Sequence, residues 1–228
     1  MNSQARALPL WEDKLAVQLR GFGLLGIFAI LCILYATWYA PPLAFLMVLV
    51  WTRLSRTPWS AIGYVRPKSW AAELTIGVVI GCVLKLVTKA VVMPLLGADP
   101  TNRAYHFLVG NRAAIPGILL TILVASVGEE TLFRGYLFER MGKLFGTSPA
   151  AQAMIVLITT VWFGLNHFVL MGMAGAENAA IFGLAFGLIY AITRRIWMLM
   201  AAHAAADLVA CAIIYWNLES KVGHWVFR

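Results

Sequence analysis

Apolar residues in this chain run in long unbroken blocks and do not alternate with polar ones. Seven blocks are legible, at about 21–39, 41–52, 72–96, 114–138, 149–171, 178–193 and 197–216. Blocks approaching 20 apolar residues predict membrane-crossing helices. A transmembrane β-barrel requires apolar–polar alternation, which stretches such as GLLGIFAILCILYATWYA lack. The expected fold is therefore all-α, a polytopic transmembrane helix bundle of about seven segments. The second block is short and is set off from the first by Pro41 and Pro42. It either spans or forms a re-entrant or interfacial piece. With no internal repeat and no low-complexity linker, residues 1–228 read as a single integral membrane domain.

Composition strengthens this picture. The chain is 61% hydrophobic and 12% charged, against about 25% charged in a soluble domain. Its net charge of +8 sits mostly beside the apolar blocks, where orientation signals and lipid headgroup contacts belong. No nucleic-acid motif accompanies the charge, so a nucleic-acid partner is not expected. Cys32, Cys82 and Cys211 all lie within apolar runs and read as small core residues. The first twenty residues mix Glu12 and Asp13 with Arg6, Lys14 and Arg20 and do not resemble a signal peptide.

Lysines and arginines orient the bundle. Arg6, Lys14 and Arg20 precede the first block, Arg53, Arg56, Arg66 and Lys68 follow the second, Arg140 and Lys143 the fourth, and Arg194 and Arg195 the sixth. The opposite loops are poorer in basic residues, which predicts a cytoplasmic N-terminus and an external C-terminus. The expected location is a multi-pass position in the bilayer, in the inner cell membrane if the source is bacterial.

Ionisable residues inside these blocks carry the functional signal, because each costs about 2.5–3.5 kcal/mol to insert and calls for a partner or a role. Lys85 and Lys89 lie four apart in the third block, where they can snorkel, line a polar cavity or pair with a carboxylate, and a structural role is expected. His106 and His224 fall outside the blocks and read as surface residues. In the fourth block, SVGEETLFRGYLFER places Glu129 beside Glu130, with Arg134 four residues after Glu130 in the favourable acid-before-base order. This is either a tuned general base or a buried ion pair that ties helices together. In the fifth block Phe163 and His167 share a helical face, with Asn166 adjacent. In the seventh, His203 and Asp207 share a face, separated by alanines that leave room beside the helix. At about 1.5 Å per residue, Glu130, His167 and His203 lie roughly 10–25 Å from the predicted cytoplasmic ends, so one shared cavity is permitted.

The ordered set Glu129-Glu130-x-x-x-Arg134, Phe163-x-x-x-His167 and His203-x-x-x-Asp207 resembles the CPBP family. That family includes the type II CAAX prenyl endopeptidases and the bacteriocin-processing or self-immunity (Abi) proteins. The resemblance covers about residues 115–215, with weaker support from SAIGYVRPKSW and none from the first fifty residues. It implies an intramembrane endopeptidase with a polar site inside the bundle. By analogy, Glu129 and His167 would hold and activate the attacking water. His203 and Asp207 would polarise the scissile carbonyl, and Glu130 and Arg134 would position and tune the group. The prenyl endopeptidases carry Asn where this chain has Asp207, and an ionised carboxylate cannot donate to an oxyanion. Asp207 would then orient His203 or bind a metal.

Metal dependence stays open at this point. The family is often labelled metalloprotease, and Glu129, Glu130, His167, His203 and Asp207 are all candidate ligands for a divalent ion such as zinc. The chain lacks His-Glu-x-x-His, and the same residues can activate water unaided. Two other function classes compete: a non-catalytic immunity or scaffold protein, and a proton-coupled transporter, against which the missing internal repeat weighs. Expected partners are the lipid bilayer and a peptide or membrane-protein substrate. The sequence names neither the substrate nor the oligomeric state.

Overall fold

The structure, a computed structural model, describes residues 10–227. Arg6, which contributed to the predicted orientation, lies outside the described residues. The fold is helical throughout, with no strand among the described residues. The elements are α1 (Leu10–Arg20), α2 (Leu24–Tyr39), α3 (Pro41–Leu54), α4 (Trp70–Leu95), α5 (Arg112–Phe145), α6 (Pro149–Thr193), α7 (Trp197–Tyr215) and a short α8 (Glu219–Gly223).

Four of these, α4 to α7, are long and apolar enough to cross a membrane. Helix α6 has 45 residues, a straight length of about 68 Å against about 30 Å of hydrocarbon. It does not run straight. Gly172 breaks it with φ 65° and ψ −163°, a conformation that glycine adopts without Cβ strain. The arms 149–171 and 173–193 fold back on one another. A Cβ on Gly164 would lie 3.2 Å from Cβ of Ala180, and one on Gly187 would lie 3.2 Å from Val156. These arms are the fifth and sixth predicted blocks.

Helices α2 and α3 depart from the simple reading. With 16 and 14 residues they extend only about 24 and 21 Å, short of the hydrocarbon thickness. They meet at Ala40, and Pro at the start of α3 satisfies the helix because that position needs no N–H donor. Phe45, in the first turns of α3, packs on Gly128, next to the paired glutamates of α5. A 57° bend separates residues Lys14–Arg20 of α1 from α2. The cost of the bend is offset where Arg140 of α5 donates to the carbonyls of Arg20 and Gly21 at 2.7 and 2.8 Å.

The closest helix contact joins α4 to α7. Gly77 and Gly81 lie one turn apart, and a Cβ on either would sit 2.3 Å from the Met198 carbonyl oxygen or 2.0 Å from that of Ala202. Small residues let helix backbones approach where lipid offers no hydrophobic driving force. This contact fixes the height of His203, the residue after Ala202. Outward, Leu24, Phe28, Leu31, Val79, Leu123 and Val161 are exposed, an apolar exterior suited to lipid and not to water.

Candidate active site

The centre of the site is a buried network across α5, α6 and α7. Helix α5 widens into a π-helical stretch over Thr131–Tyr136, directly after Glu130. Such local widening is frequent at functional sites. Glu130 and Arg134 both point inward and are 0% and 2% exposed. The Arg134 guanidinium donates to Oε1 of Glu130 at 2.9 Å and approaches the carbonyls of Phe182 and Gly183 at 3.5 and 3.4 Å. Its carbon lies 4.9 and 5.5 Å from the ring centres of Phe163 and Phe186. A buried guanidinium is thus given a carboxylate, two carbonyls and two aromatic faces, a set of partners that makes its burial tolerable.

The same Oε1 of Glu130 accepts from Nδ1 of His203 at 2.8 Å. This fixes which ring nitrogen carries the inward proton and turns Nε2 toward the cavity. There Nε2 lies 3.8 Å from Oε2 of Glu129 and 3.5 Å from Oδ2 of Asp207. The two adjacent glutamates are therefore differently placed. Glu130 is spent on Arg134 and His203. Glu129 lines the cavity, with Oε2 buried and without a hydrogen-bond partner among the described residues.

His167 reaches the same cavity from the first arm of α6. Its Nδ1 lies 2.8 Å from the Phe163 carbonyl oxygen. A carbonyl only accepts, so Nδ1 carries a proton, and Nε2 is the nitrogen that holds the lone pair whenever the ring is neutral. Phe163 neighbours both imidazoles, its ring centre 4.6 Å from that of His167 and 6.4 Å from that of His203. Asn166 donates to the Trp162 carbonyl at 2.8 Å and lines, with Glu129 and His167, the cavity that runs to Pro41 and Pro42.

Three cavities meet here. An inner one of about 170 Å³ is lined by Glu129, His167, His203 and Asp207. A second, of about 450 Å³, runs from Glu129 and His167 to Pro41 and Pro42 at the α2–α3 joint. An outer one of about 480 Å³ lies beyond Lys85, Asn102 and Asn178, which also line the inner cavity. Lys85 faces both, its Nζ 5.4 Å from the ring centre of Phe182. Lys89 instead lies 3.6 Å from Glu219 and donates to the Pro100 carbonyl.

Of the six sequence candidates, Glu129, Glu130, Arg134, His203 and Asp207 form one contiguous set. His167 shares the cavity with Glu129 but touches none of the other five through a hydrogen bond or ion pair. As a metal site the donors do not fit. Among the described residues no three His, Cys, Asp or Glu side chains are gathered to hold an ion. Glu130 is committed to Arg134 and His203, and Nδ1 of His167 is taken by the Phe163 carbonyl.

Sequence patterning missed Tyr105 and Glu219. Tyr105 lines the inner cavity from the loop before α5. Burial raises its pKa above the usual phenol value, and the Asp207 and Glu129 carboxylates raise it further. It therefore remains a neutral donor. Nothing in a polar loop marks such a residue in advance. Glu219 could have been noticed as the lone acid after the last apolar block.

No curated protein and no solved structure matches the chain. Residues 111–209, which contain all six candidates, match the family model described as Type II CAAX prenyl endopeptidase Rce1-like, a model of the CPBP family.

Proposed function

We propose that the protein is an intramembrane endopeptidase that hydrolyses a peptide bond with water activated by Glu129 and His167. The family match supports a CAAX-protease-like intramembrane endopeptidase. The observation that carries the residue-level reading is the shared Oε1 of Glu130. It ties Arg134 and His203 together and leaves Glu129 unspent at the cavity wall.

In this reading the attacking water sits between the Glu129 carboxylate and the lone pair on Nε2 of His167. Glu129 takes one proton as the water oxygen bonds to the scissile carbonyl carbon. The carbonyl oxygen becomes an oxyanion beside Nε2 of His203, which in its imidazolium form donates to it. Glu130 and Arg134 hold that ring in place, and Asp207 faces it from the next turn. Glu129 then delivers its proton to the amide nitrogen, the C–N bond breaks, and a carboxylic acid and an amine leave. The substrate is a peptide or a membrane-protein segment, and the cavity reaching Pro41 and Pro42 offers it an apolar approach to Glu129.

The test compares membranes containing the wild-type chain with membranes containing Glu129→Gln, by profiling protein N-termini. New termini that depend on Glu129 support the proposal. Identical termini in both favour the immunity, scaffold or transporter readings.

A further inference from the structure

Glu129 and His167 line both the inner cavity and the one that runs to the α2–α3 joint, so the wall common to the two is where a scissile bond must lie. Six residues form that wall: Tyr105, Thr121, Ala125, Glu129, His167 and Met171. Hydrolysis needs hydrogen-bond donors there, because negative charge develops on the carbonyl oxygen. Most of the wall cannot supply one. The Glu129 carboxylate only accepts, as does Nε2 of neutral His167. Thr121 spends its hydroxyl proton on the Gly117 carbonyl at 3.0 Å. Ala125 and Met171 have no proton to give. Asp207, across the inner cavity, is a carboxylate where a donor would be useful.

Tyr105 is left. Its hydroxyl makes no hydrogen bond to another described residue. Of the other donors of the inner cavity, His203 already serves the oxyanion in the reading above, and Lys85, Asn102 and Asn178 lie on the wall toward the outer cavity and not on the common one. The loop that carries Tyr105 is anchored on both sides of it. The Asn102 N–H donates to Oε1 of Glu219 at 2.7 Å, and the Gly110 N–H donates to the Tyr215 carbonyl at 3.0 Å. Lys89 ties Glu219 to the Pro100 carbonyl. The phenol is thus presented by fixed backbone, as a preorganised donor must be. Tyr105 lies outside the matched segment 111–209.

We propose that the hydroxyl of Tyr105 is a further catalytic group that donates a hydrogen bond to the scissile carbonyl oxygen as it becomes an oxyanion, alongside His203. This rests on the endopeptidase reading above. No covalent bond to Tyr105 forms, and its proton stays on the phenol oxygen throughout.

The experiment uses the full chain in liposomes and an internally quenched peptide spanning a cut site identified by the terminus comparison. Wild type, Tyr105→Phe and Glu129→Gln are assayed together. Loss of one oxyanion donor lowers kcat by about 10²-fold, and because the contact exists only in the transition state KM is unchanged. A phosphonate peptide that mimics the tetrahedral centre loses affinity for Tyr105→Phe in parallel with kcat, while the uncleaved peptide does not. Thermal stability of Tyr105→Phe matches wild type. Wild-type kcat in Tyr105→Phe beside an inactive Glu129→Gln overturns the Tyr105 assignment alone, as does a defect confined to KM or to stability. Absence of any Glu129-dependent cut overturns the endopeptidase reading and this assignment with it.

Discussion

Nδ1 of His203 and Oε1 of Glu130 lie 2.8 Å apart across the contact between α7 and α5, so the glutamate beside the cavity-facing Glu129 acts on the imidazole and not on the cavity. That division depends on Arg134, whose guanidinium holds the same oxygen from the other side. Removing one partner of a buried pair leaves the other charge uncompensated.

Arg134→Gln is therefore expected to destabilise the bundle by about 3–5 kcal/mol. Thermal unfolding in detergent checks this through a clearly lowered Tm. Activity should fall as well, since Glu130 is then free to turn away from His203. A Tm equal to wild type would mean that the pair contributes nothing to holding α5 against α7.

The α4–α7 contact makes a separate prediction. With a Cβ on Gly81 placed 2.0 Å from the Ala202 carbonyl oxygen, even Gly81→Ala must push the helices apart. Overpacking of this kind costs about 1–3 kcal/mol, and the displacement carries His203 with it. Gly117→Ala is the control, because a Cβ there meets nothing within 4 Å and alanine favours the helix by about 0.5–1 kcal/mol. The expected pair of results is a lowered Tm and reduced activity for Gly81→Ala, and an unchanged or raised Tm for Gly117→Ala.

Much of this architecture was legible because lipid makes the sequence explicit. Apolar blocks must be helices where water cannot satisfy the backbone, and the ends read at 171 and 178 bracket the turn at Gly172. Charges inside those blocks stood out because each is costly there, which is how Glu129, Glu130, Arg134, His203 and Asp207 were found. The separate roles of the two adjacent glutamates came from the resemblance, since the pattern of the chain alone leaves a general base and a buried ion pair both open. Two things could not be read. The joint of α2 and α3 beside Gly128 is a tertiary contact. Tyr105 lies in a loop with no periodicity, and only the anchoring by Glu219 and Tyr215 brings it over the cavity.

Orientation is a proposal from charge alone: the N-terminus is cytoplasmic and the loop carrying Tyr105 is external. Reporter fusions at positions 60 and 195 should read cytoplasmic and one at 105 external. A cytoplasmic reading at 105 would reverse the assignment and place the outer cavity on the opposite side of the membrane.

The central claim is that Glu129 is the base acting on water held with His167, and kinetics of the purified chain in liposomes test it most directly. Glu129→Gln keeps the size of the side chain and removes its basicity, so kcat should fall by about 10²–10⁴-fold while Tm stays at the wild-type value. His167→Ala should show a similar defect. The double variant should be little worse than either alone, because residues acting on one water do not contribute independently. Full activity in a well-folded Glu129→Gln protein would contradict the account.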